Sequence, residues 1–375
     1  MTVLKDVHVD HGATFGERGN HEVVSEYGRP DRSHRAVRNV VGVIEHASDV
    51  LVVTGDDRVE FVDNAVSNVV PSTDGTGVYA LLLTPQGRIR TDMYVYNAGE
   101  RLLVFLPPGA GEEIADDWQG NTFIQDVDIE VATDRFAHFG VHGPRATEKV
   151  ASVFSEQTPE EPLTFVRGAM GDAGVSVIRT DAPAGEEGYD VISAAEDARS
   201  VFDTLVNLGP SAAPFGYRTW DSLTLEAGTP LFEYELEDEV PNNLGMGNAV
   251  DYEKGCFVGQ EVVSRVENRG QPAKRLVGLV AEEVPESNAA VFDGDESVGT
   301  VTRAMESPLR NVPFALALVD REVANKIGED AALSVRVDGE EVVATAVTLP
   351  FVEGSETSAR VPDFSVSESE RRHSS

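Results

Sequence analysis

Lys254-Gly255-Cys256-Phe257-Val258-Gly259-Gln260-Glu261 is the densest local pattern in this 375-residue chain, and it holds the single cysteine. A lone thiol closes no disulfide within the chain and builds no multi-cysteine metal site. That leaves packing, nucleophilic or redox chemistry, or pairing with another molecule. Gly255 and Gly259 let the backbone turn tightly around the thiol. Lys254 supplies a cation that favours the thiolate if the two side chains converge, and an extended backbone would put Lys254 and Cys256 on one side. Gln260 and Glu261 offer hydrogen bonds that fix the segment. Against these stands the plain reading of Cys256 as a small buried hydrophobe.

Outward from this segment, composition sets bounds. A hydrophobic fraction of 41% with 7% aromatics suffices for packed cores in two or three domains. Asp and Glu total 65 against 30 Lys and Arg, a net charge of -35. Such a field disfavours binding to nucleic acid phosphates or anionic lipid surfaces. The carboxylates are spread along the chain and the lysines are only five, Lys5, Lys149, Lys254, Lys274 and Lys326. This pattern reads as halophilic solvation in preference to an acidic docking patch. No apolar run is long enough to span a bilayer, and Met1–Asp6 lacks a signal-peptide core, so a cytoplasmic protein is expected.

Residues 1–35 read as an irregular polar lead-in to a helix around His34–Val41. Val50–Gly55, Gly77–Thr84, Arg90–Tyr96 and Leu102–Leu106 read as strands, with Pro85-Gln86-Gly87 and Asn97-Ala98-Gly99 as turns between antiparallel neighbours. Helices are predicted over Asp56–Asn64, Gly111–Asp117, Arg145–Val153 and Ala195–Leu208, with further strands at Asp126–Ala132, Phe136–His142, Val175–Arg179 and Gly188–Ser193. The mixture is α+β, not a doubly wound parallel sheet. After Arg269–Pro272 only short strands follow, namely Arg275–Val280, Ser297–Thr302, Phe314–Val319, Ala332–Val337 and Glu341–Thr348, the pattern of a small β-barrel. From Gly354 onward the composition predicts a disordered tail.

The octapeptide resembles the K-G-C-(F/Y)-x-G-Q-E signature of the folate-binding YgfZ family, relatives of the glycine-cleavage T-protein (aminomethyltransferase) that act in iron–sulfur protein maintenance and tRNA modification. Further stretches are similar to that family in order. They are His8, His11, Gly12 and Ala13; Val37–Ser48; Val53-Thr54-Gly55-Asp56-Asp57; His142-Gly143-Pro144; Asp221–Gly228, close to D-S-L-R-L-E-A-G; and Val298–Thr302, like I-G-T-V-T. The resemblance implies a three-domain ring around a folate cavity. Two interleaved α+β domains would occupy 1–270, roughly 1–49 with 135–225 and 50–134 with 226–270, then a β-barrel over 273–352 and a tail over 354–375.

By the same resemblance Asp92 takes the place of the acid near N5 of tetrahydrofolate, and Asp190 that of a pterin-clamping glutamate. A carboxylate there accepts two parallel hydrogen bonds from a pterin edge, although Asp is one methylene shorter. Read from the sequence alone, Asp92 is a polar residue on the solvent side of a strand. Trp220 stands where T-proteins carry an arginine, and Pro107-Pro108 where they read Asn-Ala; Trp220 can stack on a pterin or pack in the core. The implied assignments are Asp92 and Cys256 as catalytic, and Asp92, Asp190, Trp220 and Lys254 as cofactor-binding. Tetrahydrofolate or a derivative is the implied cofactor, with iron–sulfur client proteins or a lipoylated carrier as partners. The readings that follow are a YgfZ-type protein of iron–sulfur assembly, an aminomethyltransferase, or a noncatalytic scaffold. No metal site is expected: His8, Asp10 and His11 read as an exposed loop, and His138 and His142 as ordinary strand residues.

Overall fold

The computed structural model describes residues 2–269, 272–327 and 332–364. The chain divides into two compact units, one of Met1–Leu82, Thr91–Ala182 and Glu186–Asp221, the other of Leu83–Arg90, Pro183–Gly185 and Ser222–Ser375.

The first unit is built on two sheets. One has five strands in the order Thr76–Leu83, Ile89–Asn97, Leu102–Leu106, Asp49–Thr54 and Asp128–Val131. Every residue of Leu102–Leu106 is buried, because side chains alternate between two covered faces. Leu102, Val104 and Leu106 face a core with Phe61 and Val62 of the helix Arg58–Ala65 and Ile114, Ala115 and Trp118 of the helix Gly111–Gln119. Leu103 and Phe105 face the other way, into a core shared with Phe165, Ile178 and Ile192 of the second sheet.

That second sheet runs Phe165–Met170, Ala173–Arg179, Gly188–Ala194, Phe136–His142, Gly42–Glu45 and Ala213–Pro214. Its far face packs Phe139, Val141, Val177 and Val191 under Val7 of the helix Lys5–Asp10, Val150 of the helix Ala146–Ala151, and Val201, Phe202 and Leu205 of the helix Ala198–Asn207. The layers are helix, sheet, sheet, helix, and the middle interface joins two sheets face to face. The expected irregular lead-in over 1–35 instead contains the helix Lys5–Asp10, a hairpin of Thr14–Arg18 with His21–Glu26, and the helix Pro30–Asn39. The strand Phe165–Met170 has no counterpart among the expected strands; it is the edge of its sheet, where half-exposed residues blur the alternation.

The second unit closes a barrel in the order Lys274–Ala281, Pro313–Asp320, Glu296–Glu306, Ala290–Asp293, Ala332–Val337 and Glu340–Val347 around Leu279, Val291, Val301, Ala317, Val319 and Val335. Ala290–Asp293, four residues long, is the one strand of the barrel the sequence reading lacked. Of the expected tail, 354–364 is packed: Ser358 and Arg360 are buried, Asp363 donates its backbone N–H to the Gly245 carbonyl, and the Arg275 guanidinium lies 4.7 Å from the Phe364 ring. The remainder, 365–375, lies outside the described residues. Among the described residues no helix is long and apolar enough to cross a membrane.

Candidate functional site

Alternation along three neighbouring strands places the polar groups. On Phe136–His142, Ala137, Phe139 and Val141 enter the helix-covered core, so His138, Gly140 and His142 face the other sheet. Register then sets Asp190 opposite Gly140, Ile192 opposite His138 and Gly188 opposite His142 on one side, with Ile44 opposite Gly140 on the other. His46 follows at the end of Gly42–Glu45, its N–H bonded to the His138 carbonyl. Three histidines and one aspartate therefore surround a glycine on the inner face of this sheet.

On Ile89–Asn97, Met93 and Val95 belong to the outer core, so Asp92, Tyr94 and Tyr96 project from the opposite, inner face. The plain expectation of a solvent-facing Asp92 fails for that reason: only 7% of it is exposed, and the Tyr79 hydroxyl donates to its Oδ2 at 2.7 Å. Tyr94 in turn donates to Oδ1 of Asp181 at 2.7 Å. A row of rings runs from Tyr79 to Tyr94 (5.0 Å), Tyr96 (6.2 Å), Phe105 (5.9 Å) and His138 (5.3 Å). Beside it a cavity of about 30 Å³ is lined by Tyr96, Phe105, Phe165 and Ile178 with Arg101 and Arg167.

Asp190 meets the ring of His138 at 3.3 Å. Burial by itself would raise the Asp190 carboxyl, but His138, through its charge and hydrogen bond, and then His46 and His142 outweigh that and hold it below the usual range. Burial drives the His142 imidazole down from 6.5 to about 4 and the His46 imidazole well below its ordinary value. Trp220 is buried with its ring 4.8 Å from that of His46 and 5.1 Å from that of His142, and Arg18 pairs with Asp221 while lying over the Tyr217 ring. His8 is no exposed loop residue: it sits on the helix Lys5–Asp10, fully buried, with Nε2 on Glu45 at 2.5 Å and Nδ1 on the Tyr27 hydroxyl at 2.8 Å.

In the second unit the octapeptide is a loop that enters the helix Gln260–Arg269, not an extended strand. Lys254 is buried and Cys256 exposed, so the side shared by the two in a strand does not exist. Gln260 Nε2 does fix the loop, donating to the Lys254 carbonyl at 2.9 Å, whereas Glu261 pairs outward with Arg265. Only one of the two glycines is sterically required. A Cβ on Gly255 meets nothing within 4 Å, while Gly259 has φ +82 and a Cβ there lies 2.5 Å from the Thr84 carbonyl oxygen. Gly259→Ala is therefore expected to lower stability by about 1–3 kcal/mol, read as a shifted urea midpoint. A shift as small as that of Gly255→Ala would count against the tight approach.

Comparison with known proteins places this architecture. Residues 4–254 match the family described as GCVT N-terminal domain, and residues 274–353 match the glycine cleavage T-protein C-terminal barrel domain. The chain belongs to the glycine-cleavage T-protein family. Similar curated proteins include the aminomethyltransferases of Bacillus cytotoxicus, 28% identical over 94% of this chain and 98% of that one, and of Cutibacterium acnes, 31% identical over 94% and 98%. The fold matches the crystal structure of glycine cleavage system aminomethyltransferase T from Bartonella henselae with a TM-score of 0.84, at 20% identity, over 95% of this chain and 99% of that one. The T-protein resemblance of the sequence thus holds at the level of family and fold. The sequence carries little signal for the three histidines, because His46 is far from the other two along the chain; the one local signal is His138-x-Gly140-x-His142 on a single face.

Proposed function

We propose that this member of the T-protein family is a tetrahydrofolate-dependent aminomethyltransferase, and that Asp92 and Asp190 face its folate. The observation that carries the reading is the placement of both carboxylates on the facing sides of two packed sheets, connected by a row of aromatic rings. Carboxylates beside aromatic rings are the groups that recognise a flat, partly apolar ligand with polar edges. Similarity to proteins named aminomethyltransferase over more than nine-tenths of the chain supports the transferase over the iron–sulfur reading.

In this reading a one-carbon unit passes from an aminomethyl group on a lipoylated carrier to tetrahydrofolate and ammonia leaves. The protein supplies position and charge: Asp92, held by Tyr79, accepts or stabilises a proton beside the attacking amine, and Asp190 offers two oxygens to a pterin edge. Trp220 closes the floor against His46 and His142. Formation of methylene-tetrahydrofolate from an aminomethylated lipoyl carrier tests the proposal; absence of product with a saturating carrier and folate would reject it.

A second reading, a YgfZ-type protein serving iron–sulfur enzymes, is favoured by the K-G-C-F-V-G-Q-E segment and by the exposure of Cys256. Cys256→Ala separates the two: the transferase reading predicts an unchanged transfer rate, and the YgfZ reading predicts lost rescue of an iron–sulfur enzyme defect. The net charge of -35 further supports a halophilic protein that needs screening salt to stay folded.

A further inference from the structure

We propose that His46, His138 and Asp190 form a binding site for a divalent first-row transition cation, with His142 beside it. The inference goes beyond the folate reading and stands on different observations.

Among the described residues these three are the one group of His, Cys, Asp or Glu arranged to hold an ion, with one ligand atom from each lying within 4.8 Å of the others. Three atoms each bonded at ~2.1 Å to one tetrahedral ion lie ~3.4 Å from one another, so inward side-chain shifts of under about an ångström complete the set. Two imidazoles and one carboxylate are a borderline donor set that suits zinc or iron(II) and leaves positions for water or substrate. The sheet itself makes the room. Gly140, at the centre, carries no side chain, and a Cβ there would lie 2.5 Å from His46 Nε2 and 2.6 Å from His142 Nε2, so both nitrogens point to the space a larger residue would fill.

An independent observation also points to a ligand. Both ring nitrogens of fully buried His142 lack a hydrogen-bond partner among the described residues. Leaving such groups unsatisfied is unfavourable, a cost that a bound ion and its waters would relieve. Ser48 Oγ lies 3.1 Å from His138 Nδ1, the orienting partner that ligating histidines commonly carry, which leaves Nε2 toward Asp190. Side-chain exposures of 14% for His138 and 16% for Asp190 leave an entry path. A pterin edge that takes both oxygens of Asp190 and an ion that takes one of them exclude each other, so the ion is tested without folate.

Cobalt(II) serves as the probe. The full chain, stripped with chelator and kept in molar salt without folate, is titrated with cobalt(II) and the visible d–d absorption recorded, followed by displacement with zinc. The expected result is a saturable band of one cobalt per chain, weakened at least 100-fold in both His138→Ala and Asp190→Asn and unchanged in His11→Ala, an exposed histidine elsewhere. His46→Gln, close in shape, gives a second loss if His138→Ala fails to fold, as judged by circular dichroism. No band, or a band that survives in folded His46→Gln and Asp190→Asn, would overturn the proposal.

Discussion

Asp92→Asn is expected to lower the rate of one-carbon transfer by about 10²–10³-fold while leaving tetrahydrofolate affinity within a few-fold. The two side chains have the same shape, and the Tyr79 hydroxyl can still donate to the amide oxygen, so the fold and the aromatic row persist. What disappears is a negative charge in a buried place, where its field is screened far less than in water. A charge needed only as the amine loses its proton affects the rate and spares the affinity. Steady-state kinetics with the aminomethylated carrier decide it: an unchanged rate removes Asp92 from the chemistry, and a parallel loss of binding and rate makes it a structural residue.

Low salt should have the larger physical effect. Dialysis from molar salt to about 10 mM is expected to unfold the chain, because the Debye length grows from about 3 Å to about 30 Å and the repulsion among carboxylates is no longer screened. Many ion pairs of the protein lie at the surface, as in Arg145 with Glu148 and Arg167 with Asp74, and such pairs contribute little each. They cannot offset a net charge of -35. Far-ultraviolet circular dichroism through the dialysis measures this; a spectrum unchanged at low salt would return the acidity to the alternative of a docking surface for a cationic partner.

Much of the fold was legible where burial on one face enforces a period. Leu102–Leu106, Gly188–Ala194 and the longer barrel strands stood out as apolar or alternating runs between turn residues. The hairpin Thr14–Arg18 with His21–Glu26 did not, since its residues are mostly half-exposed and polar, and propensity alone is weak there. Asp92 stands out in the sequence only by its neighbours in the family pattern, and its burial follows from both faces of its strand being covered. The histidine cluster was beyond reach of the sequence, because it depends on the register that brings residues 46, 138 and 190 around Gly140. Lys254 and Cys256 illustrate the reverse: an extended segment would put them on one side, but the structure has a loop there, with Lys254 buried and Cys256 exposed.

Tetrahydrofolate is proposed to lie against the inner faces of the two sheets. Isothermal titration of tetrahydrofolate into the folded, metal-free chain in molar salt tests it most directly. Saturable binding of one folate per chain is expected, accompanied by a change in tryptophan fluorescence from Trp220; absence of both heat and fluorescence change at millimolar folate would exclude folate from these faces.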